Sequence, residues 1–436
     1  GYYNSFAVRK DGSVWSWGHN AYGSLGNGNT SNQLIPQRVL GGASGSQYLT
    51  DIVEVKAATY HTLALKANGT VYAWGYNGLG QLGSSGSDSY TPVQVVTGGQ
   101  SSASGYLEKV VDIDVSSDDD SGYGTSIALT ESKEVYGWGY SGYGALGKTG
   151  TITTPIKVSN VKTAVQIAIG GTSNGQFTYI LKEDGTVSSL GYNGYGQVGD
   201  GTTSNRTIIS QAKNSAGEVI TDAKHIMASG DGTYVTRQKT EDGKPQGMYA
   251  VGFNNYGQLF TKDTSTKYKV VEVEKDKDII AGTITSSNDY QTGAIADQDG
   301  MVYTVGLNDY GQMGNGTIES LITPWCISKK RINVPKKTIN FTKAGETEKI
   351  EYNTSMEFNL IRSTVPSATY TYKSLDENVA IVNDEGLVTA KAIGTTYVVI
   401  KDVNNDLASA VRINVNGEGN TTFAEIAGGN YHFVAL

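Results

Sequence analysis

Cysteine is almost absent. Cys326 is the single one in 436 residues, so no internal disulfide can form and no cysteine cluster can hold zinc. Histidine is nearly as scarce, with only His19, His61, His225 and His432. No Ser/His/Asp set carries a recognisable signature such as the nucleophile elbow. Scattered carboxylates give no positive support to a glycosidase pair, and no motif calls for a cofactor. Proline numbers seven, and no long helical period runs through the chain. No apolar stretch approaches the ~20 residues a membrane helix needs. Excess positive charge is also missing: 34 Lys and Arg stand against 42 Asp and Glu, a net charge of −8. That argues against nucleic acid as the main partner, because phosphate binding wants a basic face. A basic protein partner stays open. The chain starts at Gly1 and stops at Leu436, both inside strand-like motifs, which reads as an ordered piece of something longer. A removed signal peptide would leave no trace.

Glycine is abundant, at 56 residues, and Tyr, Asn, Ser and Thr are plentiful. This is a turn-rich, all-β composition. One nine-residue phrase organises it: Gly75-Tyr76-Asn77-Gly78-Leu79-Gly80-Gln81-Leu82-Gly83. Other copies begin at Gly18, Gly139, Gly191, Gly252 and Gly306, at spacings of 57, 64, 52, 61 and 54 residues. A period of that size means a propeller or an array. Each phrase follows a strand-like run such as Thr70–Trp74, and most runs follow an Asp-Gly or Asn-Gly turn (Asp11-Gly12, Asn68-Gly69, Asp184-Gly185, Asp299-Gly300). The glycines predict a tightly folded loop. Gln81, Gln197, Gln258 and Gln312 share one place, where a side chain with both donor and acceptor can satisfy loop backbone groups. Leu25, Leu82, Leu146, Val198, Leu259 and Met313 follow it and read as plugs into the core. A phosphate-cradling loop is disfavoured, because no Lys-Ser/Thr or following helix accompanies the glycines.

In repeat two, Ile52–Ala58, Thr59–Leu65, Thr70–Trp74 and Thr91–Val95 make four short strands, the content of one propeller blade. The pattern A-x-x-x-H-x-L-A-L, then N-G-x-V-x-x-W-G-x-N-x-x-G-Q-L-G, resembles the regulator of chromosome condensation repeat. The resemblance spans about residues 1–328 and implies a seven-bladed β-propeller, with at least six repeats visible. Repeats three to six are worn. Trp138 is kept, but Leu190, Val251 and Val305 replace the tryptophan, and Phe260 replaces the last glycine of repeat five. Only His61 and His432 keep the family histidine. Thr240–Pro245 lengthens an inner turn of repeat five and reads as an exposed excursion.

After Cys326 the character changes. Residues 329–335 form a basic linker, read as a hinge rather than a nucleic-acid patch. Residues 336–416 resemble the group-2 bacterial immunoglobulin-like domain, on Asp376–Ile400 with its V-A-x-V, G-x-V-T-A and G-T elements; this implies a small β-sandwich. Residues 421–436 match Ile52–Leu65 and return to the propeller pattern.

Tyr22, Tyr143, Tyr195, Tyr256 and Tyr310 recur in the loop phrase, with Leu79 in repeat two. On a closed ring they would stand around one rim. Two readings apply: an aromatic contact surface, since tyrosine offers rigid area plus a hydroxyl, or packing between blades, the usual role of a residue repeated in every blade. Asp118, Asp119 and Asp120 could gather a calcium ion with loop carbonyls, although their spacing does not match an EF-hand loop and a solvated acidic tip is the plainer reading. His61 and His432 are expected to satisfy backbone groups near the channel, and Cys326 to be a small core residue. The two resemblances together imply a secreted or surface-anchored bacterial binding protein, not an enzyme, with propeller loops contacting a protein. Family relatives include an exchange factor for a nuclear GTPase and a bacterial inhibitor of β-lactamase. A glycan-binding adhesin is the alternative, then a polysaccharide-active enzyme or a structural stalk.

Overall fold

The computed structural model describes residues 3–42, 47–116, 122–158, 161–285, 291–298, 301–315, 317–327, 338–341, 344–349, 355–358, 361–364, 370–402, 407–415, 426–429 and 432–435. The linker 329–335 and the acidic triplet Asp118–Asp120 lie outside these residues. Two compact units emerge: Gly1–Trp325 with Ile426–Ala435, and Cys326–Glu425 with Leu436.

The first unit is a β-propeller. Blade 2 is the antiparallel series Ile52–Ala57, His61–Lys66, Val71–Gly75 and Ser89–Gln94, each strand paired with the next. Blade 3 repeats it with Val110–Val115, Thr125–Thr130, Val135–Ser141 and Gly150–Lys157. Blade 4 has Ala164–Thr172, Gly175–Lys182, Val187–Gly191 and Arg206–Gln211. Blade 5 has Ala223–Ser229, Gly232–Arg237, Met248–Gly252 and Lys267–Val273. Blade 6 has Ile279–Ile284, Thr292–Asp297, Val302–Gly306 and Leu321–Cys326. Blade 1 contributes Asn4–Val8, Val14–Gly18 and Gln33–Arg38 as a three-stranded sheet. Ile426–Gly429 and His432–Ala435 form a hairpin. The excursion in blade 5 is an exposed turn closed by Thr240 and Lys244. First strands of successive blades approach one another, as at blades 3 and 4 or 4 and 5, so they line the middle of the ring.

Each complete blade has a bulge in its first strand, where one residue has no partner opposite: Val53, Val111, Val165, Lys224 and Ile280. A bulge bends the strand and turns the extra side chain out of the ladder. All five side chains are exposed.

The plug residues Leu25, Leu82, Leu146, Val198, Leu259 and Met313 are all buried, between blades. The tryptophans join them. Trp74 of blade 2 donates its indole N–H to the Ser24 carbonyl of blade 1 at 2.8 Å. Trp138 of blade 3 donates to the Gln81 carbonyl of blade 2, also at 2.8 Å. This close approach needs glycine at the end of the phrase: a Cβ on Gly83 would stand 2.8 Å from the Trp138 indole nitrogen.

At two of the three places where the tryptophan is lost, those of Val251 and Val305, the neighbouring blade compensates. Tyr179 donates to the Gln197 carbonyl at 2.6 Å, and Tyr234 donates to the Gln258 carbonyl at 2.5 Å. These are the carbonyls that tryptophans at 251 and 305 would have capped. Phe260 completes the filling opposite Val305, with its ring 5.9 Å from that of Tyr234. It keeps the left-handed backbone of the glycine it replaces, at φ 63 against 59 for Gly83. Holding a bulky residue there costs about 1–3 kcal/mol, while a buried phenyl ring contributes about 3–5 kcal/mol. Phe260→Gly should therefore destabilise by about 2 kcal/mol despite relieving strain. A higher urea midpoint for the variant would refute this weighting.

The second unit has a sheet ordered Thr338–Phe341, Leu407–Val415, Gly394–Asp402, Tyr370–Ser374, whose first pair is parallel. A second sheet holds Thr347–Lys349, Leu387–Ala390 and Ala380–Val382. Phe341, Val398, Ile400, Val411 and Ile413 from the first sheet share one core with Ala380 and Val388 from the second. Alternation along the strands places these side chains on one face of each sheet. Cys326 is buried.

Candidate functional site

The nine-residue phrase folds around two amide side chains. Asn77 accepts the Leu82 backbone N–H at 3.0 Å and donates to the Ser84 and Gly86 carbonyls. Asn20, Asn193, Asn254 and Asn308 do the same for Leu25, Val198, Leu259 and Met313. In blade 3, Ser141 takes over with one hydroxyl. The asparagine was visible in five of six phrases, yet its role was not read from the sequence.

The glutamine works in two directions. Its Oε1 accepts the N–H of the residue two before it: Leu79, Tyr195, Tyr256 and Tyr310 for Gln81, Gln197, Gln258 and Gln312. That residue occupies the rim position, so the glutamine fixes where the rim side chain starts. Its Nε2 crosses to the next blade, reaching the Gly122 carbonyl from Gln81, Asp231 Oδ1 from Gln197 and Gln291 Oε1 from Gln258. The loop-satisfying role expected from the sequence is present; the inter-blade reach was not legible.

Asp231 is the centre of a buried polar cluster. It accepts from Thr172 of blade 4 at 3.2 Å, from Gln197, and from Gln291 of blade 6 at 3.4 Å. Burial pushes its carboxyl up to about 6, against hydrogen bonds from Gln197 and Thr172 that hold it down. Three blades are tied together below the rim.

On the rim, Tyr22 of blade 1 meets Tyr76 of blade 2 with ring centroids 4.8 Å apart. Tyr143 of blade 3 meets Tyr192 of blade 4 at 5.1 Å, and Tyr195 of blade 4 meets Phe253 of blade 5 at 4.9 Å. Within blades, Tyr192–Tyr195 and Phe253–Tyr256 both lie at 6.2 Å. A continuous aromatic run thus links Tyr143, Tyr195 and Tyr256 across three blades. Its other members, Tyr192 and Phe253, hold the second place of the phrase, a position sequence reasoning passed over. Tyr22 belongs to a separate arc with Tyr60 and Tyr76. In between, Leu79 breaks the run and Tyr140 stacks instead on Tyr123. Tyr22, Tyr143 and Tyr310 are 43%, 39% and 64% exposed, while Tyr195 and Tyr256 are half-buried. Tyr22, Tyr143 and Tyr195 are thus seam residues between blades, and Tyr22 and Tyr143 remain partly exposed as well. Burial raises the Tyr192 and Tyr195 hydroxyls, Tyr192 to about 12, so both stay neutral donors.

His61 differs from expectation. Its Nε2 lies 3.1 Å from the Ser126 hydroxyl of blade 3, so its partner there is a side chain rather than backbone. The side chain of His432 lies outside the described residues. Burial drives the His61 ring down to about 3 from its ordinary 6.5. The fold holds the neutral ring. Its contribution is complete above 6.5 and is lost as pH falls toward 3. At pH 5 the loss is about 2 kcal/mol. Asn4 stands at the same place in blade 1, opposite Gly18 as His61 is opposite Gly75. His61→Asn should therefore flatten the fall in urea midpoint between pH 7 and pH 5. Parallel losses in variant and parent would exclude His61 as the cause.

Among the described residues, no group of three His, Cys, Asp or Glu could hold a metal ion, and no helix is long and apolar enough to cross a membrane. The regulator of chromosome condensation (RCC1) repeat matches residues 11–65, 68–118, 133–174 and 299–344, and a second description of the repeat matches 52–81 and 114–145. Over these spans, which make up under half of its length, the chain is similar to RCC1 repeats. The matched spans leave 175–298 uncovered, the stretch where Tyr179, Tyr234 and Phe260 replace the tryptophan packing. The E3 ubiquitin-protein ligase HERC2 of Homo sapiens is 30% identical over 257 residues, covering 58% of this chain and 5% of HERC2. The probable ligase HERC4 of Homo sapiens is 32% identical over 211 residues, 47% of this chain and 18% of HERC4. The chain therefore spans a small part of these curated relatives. Among solved structures, human WBSCR16 aligns with a TM-score of 0.59 at 20% identity, covering 75% of this chain and 79% of that one. Prp20p from Saccharomyces cerevisiae, described with its binding to Gsp1p and histones, aligns with a TM-score of 0.58 at 20% identity, covering 76% and 77%. These likenesses establish the RCC1-type propeller fold.

Proposed function

We propose that this chain is a protein-binding scaffold that contacts its partner through the aromatic rim. The observation that carries the reading is the run Tyr143–Tyr192–Tyr195–Phe253–Tyr256, held in place by blade-to-blade hydrogen bonds and open to solvent on one side. Rigid aromatic residues supply contact area at low entropic cost. The neighbour Prp20p, with its described binding to Gsp1p and histones, supports a protein rather than a glycan. The tilted ring–ring contacts cover part of each tyrosine face, which disfavours flat stacking of a sugar. The reading is of a binding protein and not of an enzyme. We place it outside a bacterial cell or on its surface, with residues 336–416 as an immunoglobulin-like spacer; the support is the Asp376–Ile400 motif and the core shared by two sheets around it.

The test is capture with the purified chain, run against secreted and surface proteins and against immobilised glycans. A saturable protein partner is expected. Tyr143→Ala with Tyr310→Ala should weaken capture at least tenfold while the melting temperature falls by only a few degrees. Glycan binding competed by one sugar would replace the reading with an adhesin. Unchanged protein capture by the double variant would remove the rim from it.

A further inference from the structure

At the opposite end of the same strands, where the second strand turns into the third, five blades share a backbone hydrogen bond and three of them add an ion pair to it. The residue just before each first strand offers its carbonyl to the chain leaving the second strand: Asp51 to Ala67, Lys109 to Glu131, Thr163 to Glu183, Asp222 to Gln238 and Asp278 to Gln298. In blade 2 the acid at this place pairs with Lys66, the last residue of the second strand, at 3.4 Å. In blade 5, Asp222 pairs with Arg237 at 2.8 Å, and in blade 6, Asp278 takes Lys239 from blade 5 at 2.9 Å. Blades 3 and 4 both lack the acid, with Lys109 and Thr163 in its place, and of the two blade 4 alone keeps the cation. Lys182 stands where Lys66 and Arg237 stand, but the acid is replaced by Thr163.

Lys182, which makes no direct ion pair among the described residues although its charge reaches Asp184 nearby, lines a groove of about 690 Å³ between blades 4 and 5. Its floor is apolar, from Val165, Leu181 and Ala223. Lys224 lines its other side. This is the bulge position that carries Val53, Val111, Val165 and Ile280 in the other complete blades, so the exchange places an exposed ammonium where the fold elsewhere presents an aliphatic group. The acid lining the groove, Glu183, is engaged by Lys133 of blade 3. Lys182 and Lys224 thus leave the groove with an excess of positive charge on a chain whose net charge is −8.

We propose that this groove docks an acidic peptide segment, whose carboxylates pair with Lys182 and Lys224 and whose apolar side chain covers the exposed Val165. The occupant supplies the negative charge that Asp51 and Asp222 supply within their own blades. Two ammonium groups over an aliphatic floor fit an acidic peptide better than a nucleic acid, which needs a longer basic track. The site is separate from the aromatic rim and does not depend on it.

Fluorescence anisotropy of the whole chain with a labelled twelve-residue peptide of alternating Glu and Leu tests this, with a Gln/Leu peptide and oligothymidine as comparisons. The Glu/Leu peptide should bind at least tenfold more tightly than the Gln/Leu one, and less tightly as salt is raised. Thr163→Asp restores the internal acid. Asp51 shows that the position accepts aspartate, since its left-handed backbone (φ 61 against 86) and its carbonyl hydrogen bond are the same. Thr163→Asp should weaken peptide binding at least fivefold without lowering the melting temperature. Lys182→Ala should weaken it similarly, and Tyr143→Ala should leave it unchanged. Equal binding of the Gln/Leu peptide, undiminished binding by Thr163→Asp and Lys182→Ala, or oligothymidine binding as tightly as the Glu/Leu peptide would each overturn the proposal.

Discussion

Trp138→Ala should lower stability by about 3–5 kcal/mol, the range for truncating a buried aromatic ring. The indole is fully buried between blades 2 and 3, packed in one cluster with Leu63, Leu82 and Leu146. Truncation leaves a cavity that close-packed neighbours cannot fill by small shifts. It also removes one of two donors to the Gln81 carbonyl; the other, the Ser126 hydroxyl at 3.0 Å, remains. The hydrogen bond is therefore the smaller part of the loss. Trp138→Phe separates the two effects: it keeps most of the volume, loses the N–H and should cost about 1–2 kcal/mol. Urea midpoints followed by circular dichroism would measure both. If Trp138→Ala cost less than 1 kcal/mol, or no more than the exposed Tyr310→Ala, the indole would not be the clamp between these blades.

How much of this was legible depends on whether a signal repeats. The phrase with its glycines repeats, and so the blade could be read from residues 52–95, with the all-β class already plain from composition. Its buried Leu or Val plug and its loop-satisfying glutamine were equally plain. The rim tyrosines repeat too, but sequence could not decide between packing and exposure, because one ring can do both: Tyr143 touches Tyr192 and still shows 39% of its surface. The Gln197–Asp231–Gln291 cluster was not legible, since it joins side chains 34 and 60 residues apart that follow different local patterns. Nor was the replacement of Asp by Thr163, which has meaning only once the carbonyl hydrogen bonds align five blades. The least legible feature was compensation. Val251 and Val305 look like simple wear when read along one repeat. Their partners Tyr179 and Tyr234 sit in the preceding blade, on a different strand, and only the contact across the seam relates them.

That relation predicts a rescue. At the seam of blades 2 and 3, leucine on the second strand (Leu63) goes with tryptophan on the next blade's third strand (Trp138). At the seam of blades 4 and 5, tyrosine (Tyr179) goes with valine (Val251). Both solutions fill the seam with one large ring and place one donor on the phrase carbonyl, Gln81 in the first case and Gln197 in the second. Tyr179→Leu alone should lose about 3 kcal/mol, from the missing ring and a buried carbonyl without its donor. Val251→Trp alone should lose about 1–3 kcal/mol by forcing an indole against the tyrosine. Made together, they rebuild the arrangement of blades 2 and 3, and Gly199 already provides the glycine that Gly83 provides for Trp138. The double variant should be more stable than the sum of the single losses by more than about 1 kcal/mol, a coupling that residues in contact can show and distant ones do not. Additive losses would mean that the two seams are packed by unrelated rules and that the worn repeats drifted independently. A favourable coupling would mean that the seam, and not the single repeat, is the unit on which these sequences vary.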